Sequence, residues 1–163
     1  MMKKNIDDII NKQINAELYS AYLYLAMAAY CQEQNLTGFA HWLKVQAKEE
    51  VGHGMRFYKH LEARSAGIKL AAIDEPPAKW SGPLAAFEAA YKHEQKVTGM
   101  IYDMVNLATK EGDHATASML KWFVDEQVEE EAQTLEIVNK LKMAGESKGS
   151  LMYIDKALGK REG

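Results

Sequence analysis

Apolar residues recur in steps of three and four along four long segments of this chain. That is the packing period of helices in a left-handed bundle. The first segment carries Ile10, Ile14, Ala21 and Ala28, with Glu17 and Tyr24 in the same register. It is expected to start at Asn5 as N-cap, with Asp8 in its first turn, and to run to about Gln32. A turn around 35–38 leads to a second segment with Phe39, Leu43, Glu50, His53, Phe57 and Leu61 on its seam and Gly67 as its stop.

Residues 68–82, IKLAAIDEPPAKWSG, break the pattern, and Pro76 and Pro77 exclude a helix interior there. The stretch is long for a bundle connection and can run the length of the bundle, which would set the next helix parallel to the second. Ser81 is the expected cap of a third helix bearing Leu84, Phe87, Tyr91, Glu94, Ile101, Val105 and Ala108. Gly112 and Asp113 form a tight turn into a fourth, with Leu120, Phe123, Gln127, Glu130, Ile137 and Leu141, stopped by Gly145. A short tail helix within about 147–158 puts Leu151, Ile154 and Leu158 on one face and must dock on this chain or on a neighbour. The reading is all-α: one domain over 1–163, with a four-helix bundle over about 5–144, a long crossover between helices 2 and 3, and a short fifth helix.

Each seam is interrupted near its middle by a metal-ligand type, and the interruptions repeat. Glu17, Glu50 and His53 reappear 77 positions later as Glu94, Gln127 and Glu130. Glu50 and His53 share a helix face, because residues three apart are neighbours there. One acid from the first helix of each pair, with an i, i+3 pair from the second, describes a di-metal site inside a four-helix bundle. An unpaired acid on a bundle seam costs several kcal/mol, so acids at matching heights point to a shared partner. Oxygen-rich ligands with an imidazole suit Fe(II) or Mn(II) better than a structural zinc. The bland alternative is that these are surface acids on solvated faces, since the chain holds 23 acidic residues.

Composition narrows the partners. A net charge of −3 and a pI near 6.0 leave no polybasic footprint, so nucleic acid is not expected. No stretch has the roughly 18–20 apolar residues that span a bilayer. MMKKNIDDII lacks the apolar run of a secretory leader, and Cys31 is the single cysteine, so a reducing cytoplasm is the expected compartment.

The chain resembles the ferritins, specifically the haem-free bacterial type, over essentially its whole length. The resemblance is carried by NAELYSAYLYL around Glu17 and Tyr24, KEEVGH at 48–53, HEQ at 93–95 and DEQVEEE at 125–131. It implies a ferritin-like four-helix bundle that oxidises Fe(II) with dioxygen or peroxide and stores ferric oxide in a shell. The shell of the family has 24 chains in cubic symmetry, with the tail helix near the four-fold axes. Two to three irons per subunit are implied at the ferroxidase centre. One iron would lie between Glu17, Glu50 and His53, and the other between Glu50, Glu94 and Glu130, with Glu50 bridging. Gln127 matches the glutamine beside the centre and Tyr24 the neighbouring tyrosine. Glu49, Glu126 and Glu129, with Glu130, match a third iron site.

Departures from related families sharpen this. The second half reads Gln127-x-x-Glu130 where many di-iron enzymes repeat Glu-x-x-His, and Val51 stands where a haem-ligating methionine would follow Glu50, so no haem is expected. His41, His60, His93 and His114 read as solvated or capping residues, and Trp122 as core packing or as part of an electron path. Two other functions compete. A di-iron oxidase or peroxidase would retain its metals and store nothing. A purely structural bundle would have no metal chemistry.

Overall fold

A computed structural model describes residues 1–163. It contains five helices and no strands: α1 (Lys4–Glu33), α2 (Thr37–Ala63), α3 (Pro83–Glu111), α4 (His114–Ala144) and α5 (Lys148–Leu158). Short turns fold α1 onto α2 and α3 onto α4 as two antiparallel hairpins. No helix is long and apolar enough to cross a membrane.

The connection over 64–82 is a strap laid along α1. Asn11 donates to the Gly67 carbonyl and accepts from the Lys69 amide, Asn15 donates to the Ala72 carbonyl, and Trp80 meets Tyr30 edge-on at 5.6 Å. The strap therefore climbs in the direction of α1 and delivers α3 at the end where α2 begins. Phe39 and Phe87, near the starts of α2 and α3, pack edge to face there at 5.5 Å. This makes α2 and α3 parallel, as the length of the connection predicts.

Helix ends differ from the sequence expectation in several places. Helix α1 starts at Lys4 with no side-chain cap, and Asn5 lies inside its first turn, donating to Glu111. Helix α2 ends at Ala63, before Gly67, because Ser65 takes a left-handed conformation at φ 51°. Gly82, with Pro83 following, starts α3, and Ser81 caps nothing. Asp113 caps α4, accepting from the Thr116 amide at 3.1 Å, and is also held by Arg64 at 2.9 Å. Ser147 caps α5, so the tail helix begins at Lys148.

The core is layered along the bundle axis. One apolar cluster of 19 buried residues, including Phe39, Leu43 and Phe87, fills the end nearest α5. A second of 11, including Ile10, Phe57 and Phe123, fills the other end. Between them lies a belt of buried polar side chains: Gln13, Glu17, Gln46, Glu50, His53, Glu94, Gln127 and Glu130. All the seam residues of α1 and α2 named from the sequence are buried.

The tail helix docks on its own chain. Leu151, Ile154 and Leu158 pack against the larger cluster. Asp155 reaches the start of α2, where its carboxylate accepts from the Phe39 amide at 3.0 Å. Gly38 allows this approach, because a Cβ there would overlap the Asp155 carbonyl.

Candidate metal centre

Each hairpin brings its share of the polar belt to one height. Glu17 and Glu94 come from the first helices of the two hairpins, and Glu50, His53, Gln127 and Glu130 from the second. The i, i+3 spacing in α2 places Glu50 Oε2 3.2 Å from His53 Nδ1. Three overlapping ligand groups result, each with one donor atom per residue and all donors within 4.8 Å of one another: Glu17–Glu50–His53, Glu50–Glu94–Glu130 and His53–Glu126–Glu130. Glu50 stands in two of them. His53 is the only histidine in any.

The hydrogen bonds leave particular oxygens free. Gln13 donates to Glu17 Oε1 at 2.8 Å, while Glu17 Oε2 is the one buried side-chain polar atom without a partner. Buried polar atoms are ordinarily paired. An orphan carboxylate oxygen facing Glu50 and His53 therefore fits a cation between them. Gln46 donates to Glu50 Oε1 at 2.9 Å and to Glu130 Oε2 at 2.7 Å. Tyr24 donates a short hydrogen bond to Glu94 Oε1. Gln127 turns its amide nitrogen to the Glu94 carboxylate and to Thr98, both at 3.2 Å, and so braces Glu94.

The flanking acids are less alike. Glu126 Oε1 lies 3.7 Å from His53 Nε2, on the far side of the ring from Glu50. Glu49 is bound by Arg161 at 2.8 Å, and Glu129 is exposed. Trp122 is 36% exposed and carries Arg56 on its face at 3.7 Å. Core packing therefore does not describe it, and its ring lies 5.5 Å from that of His53. The other histidines have local roles: His41 bonds the Arg161 carbonyl, His60 bonds Thr116 and His93 bonds Ser20, while His114 is exposed.

The sequence reading did not single out Gln13 and Gln46. Both sit four residues before a seam glutamate and are completely enclosed. That i, i+4 spacing on the apolar seam was the available signal.

Crowding of like charges in an apolar setting governs the titration of the belt. Burial and the charge of Glu50 hold Glu17 well above the usual carboxylate range. Burial and Glu94 push Glu50 up to about 8. Burial, Glu50 and Glu94 push Glu130 up to about 10. These acids ionise near 4.5 when the chain is unfolded. The folded apo-protein thus binds protons that the unfolded chain releases, and the stability from these sites is complete only below about pH 4.5. It is lost as pH rises through about 8 to 10. The apo-protein should melt roughly 5–10 °C lower at pH 9 than at pH 5, and a divalent cation should restore the difference. Scanning calorimetry of the apo-protein and of Glu130→Gln tests this: a flat profile, identical in the variant, would reject it.

The sequence of residues 8–144 matches the family model described as the ferritin-like domain of the ferritins. A bacterial non-haem ferritin of Bacteroides fragilis is 40% identical, the match covering 99% of this chain and all of that protein. One from Staphylococcus aureus is 38% identical over 99% of this chain and 97% of its own length. Among solved structures, an open-pore ferritin from the hyperthermophilic archaeon Archaeoglobus fulgidus superposes with a TM-score of 0.98 at 46% identity, covering 99% of this chain and 98% of that one. A form of the same ferritin engineered to be closed superposes equally well, also at 46% identity. A bundle of two hairpins, closed around a belt of carboxylates and matched over its full length by relatives of this kind, belongs to the ferritin family.

Proposed function

We propose that this protein is an iron-storage ferritin that oxidises Fe(II) within the buried belt and deposits ferric oxide inside a shell of its own copies. Family membership and the likeness to solved ferritins support storage. The observation that carries the oxidation step is the sharing of Glu50 between two buried ligand groups. That arrangement offers two adjacent cation positions with one bridging carboxylate.

Fe(II) is the substrate. One ion is assigned to Glu17, Glu50 and His53, and the second to Glu50, Glu94 and Glu130. Two cations about 3.5–4 Å apart can present two electrons together to one acceptor. The acceptor is dioxygen or peroxide, and each Fe(II) gives up one electron to it. His53 binds as the neutral imidazole through Nδ1, the nitrogen that faces Glu50. Gln13, Gln46, Tyr24 and Gln127 hold the carboxylates in place from behind. Glu126, with Glu49, Glu129 and Glu130, is assigned to a third cation on the route out of the centre. The second position lacks the second histidine of retained di-iron cofactors, and the centre is assigned the role of a gateway to storage.

The shell is assigned 24 copies and the protein to the cytoplasm, with no haem, no nucleic acid and no membrane in its function. The test is to load the apo-protein with Fe(II) in air and quantify iron across a size-exclusion profile. Iron far beyond the two or three ions of the centre, eluting with a large shell, is the expected result. Two or three ions per chain on a small oligomer would instead identify a di-iron oxidase, and no bound iron would leave a structural bundle.

A further inference from the structure

The segment after α5 turns back onto α2 and ends against the polar belt. Arg161 is its anchor. The guanidinium lies over the Trp42 ring at 4.3 Å and donates to the Trp42 carbonyl at 3.2 Å. The Arg161 carbonyl accepts from His41 at 2.7 Å. Nη2 donates to Glu49 Oε2 at 2.8 Å and to Gln46 Oε1 at 2.9 Å. The side chain is 15% exposed.

The contact with Gln46 reaches the centre. Gln46 is fully buried, and its two amide hydrogens are both committed, one to Glu50 Oε1 and one to Glu130 Oε2. A guanidinium on the amide oxygen fixes which end of the amide faces the carboxylates. It also polarises the amide, strengthening both donated bonds in a setting of low dielectric constant. Glu50 and Glu130 are thereby each held by one oxygen, with the other oxygen left for a cation. Behind Glu17, Gln13 acts with no cation on its amide.

We propose that Arg161 is a positioning residue of the centre, acting through Gln46 to set the affinity of the cation position formed by Glu50, Glu94 and Glu130. Both carboxylates that Gln46 holds belong to that position, whereas only the shared Glu50 belongs to the other, so the docked tail bears chiefly on the first. This rests on reading the carboxylate belt as a site for paired divalent cations.

The test is an anaerobic calorimetric titration of the assembled apo-protein with Co(II), followed in parallel by its visible spectrum, for wild type, Arg161→Ala, Gln46→Ala, the double variant and Glu130→Ala. Groups behind metal ligands typically govern 10–100-fold in affinity. Arg161→Ala should weaken one Co(II) position by about tenfold. The position that survives in Glu130→Ala should weaken less, because of the two carboxylates that Gln46 holds it contains only Glu50. The double variant should be no worse than Gln46→Ala, because Arg161 acts through that amide. A role in tail docking alone would move neither position selectively. If wild type binds the Co(II) pair and Arg161→Ala keeps both of its positions within twofold, the inference is overturned while the reading of the centre survives. If wild type binds no pair, the reading of the centre fails and takes the inference with it.

Discussion

Glu50→Gln should lower the initial rate of Fe(II) oxidation by about 100-fold or more, a larger loss than removal of groups behind metal ligands ordinarily causes. Glu50 is the one side chain that stands in both the Glu17–Glu50–His53 and the Glu50–Glu94–Glu130 groups. An amide is uncharged and its oxygen is a much weaker donor than a carboxylate's, so it is a poor bridge between two cations. Neither position would be properly formed, and the proposed paired electron transfer requires both. The same substitution should raise the melting temperature of the apo-protein at pH 8, because it removes a carboxyl that burial and Glu94 oppose ionising. Activity and stability thus move in opposite directions. Stopped-flow absorbance of ferric product and calorimetry on the same preparations measure both. Unchanged rapid oxidation in the variant would remove Glu50, and with it the bridged pair, from the mechanism.

Gly38→Ala should be the most damaging small substitution outside the belt. Its Cβ would overlap the Asp155 backbone, which cannot yield without moving the whole of α5. The Phe39 amide would lose the Asp155 cap, and Ile154, Leu151 and Leu158 would be levered off the larger apolar cluster. Overpacking of this kind costs about 1–3 kcal/mol, and loss of a cap about 1 kcal/mol more. A tail helix out of place should also weaken the shell. Gly52→Ala on the same helix supplies the comparison. Nothing lies within 4 Å of the Cβ it would add, and a glycine-to-alanine change in an exposed helix stabilises by about 0.5–1 kcal/mol. Calorimetry and sedimentation of the two variants decide the matter. If Gly38→Ala melts and assembles as Gly52→Ala does, the docking of α5 on its own α2 is not what holds the tail.

The sequence was most readable where periodicity and chemistry coincided. Glu17, Glu50, His53, Glu94, Gln127 and Glu130 each fall on an apolar seam, so their burial and common height followed from the three-and-four step and the 77-residue repeat. The strap was legible over 68–82 from Pro76 and Pro77 and from its length, though it begins earlier, at 64. The supports behind the carboxylates were not, since Gln13 and Gln46 look like any polar helix residue until the facing helix is in place. Arg161 was invisible for a stronger reason: its partners Trp42, Gln46 and Glu49 are more than 100 positions away in the chain, and no local pattern links them. Trp122 misled because a tryptophan near a seam ordinarily packs inside, whereas this one is partly exposed and carries Arg56 on its ring. Helix ends went astray where backbone geometry decided, as at Ser65, whose left-handed turn halts α2 before Gly67 is reached.

The polar belt divides the bundle's grease into two unequal plugs, and it does so across the seam between the two hairpins. Glu17, Glu50 and His53 belong to one hairpin, Glu94, Gln127 and Glu130 to the other. A cation held between Glu50, Glu94 and Glu130 therefore rivets the halves together at mid-height, where the apolar contacts that join them elsewhere are interrupted. On the proposed function, cargo in transit would be momentarily part of the frame. By mass action, whatever binds only the closed form tightens it. On the proposed function, the waist of each subunit would be firm when iron is plentiful and slack when it is scarce, and the compliance of the container would keep a record of its supply.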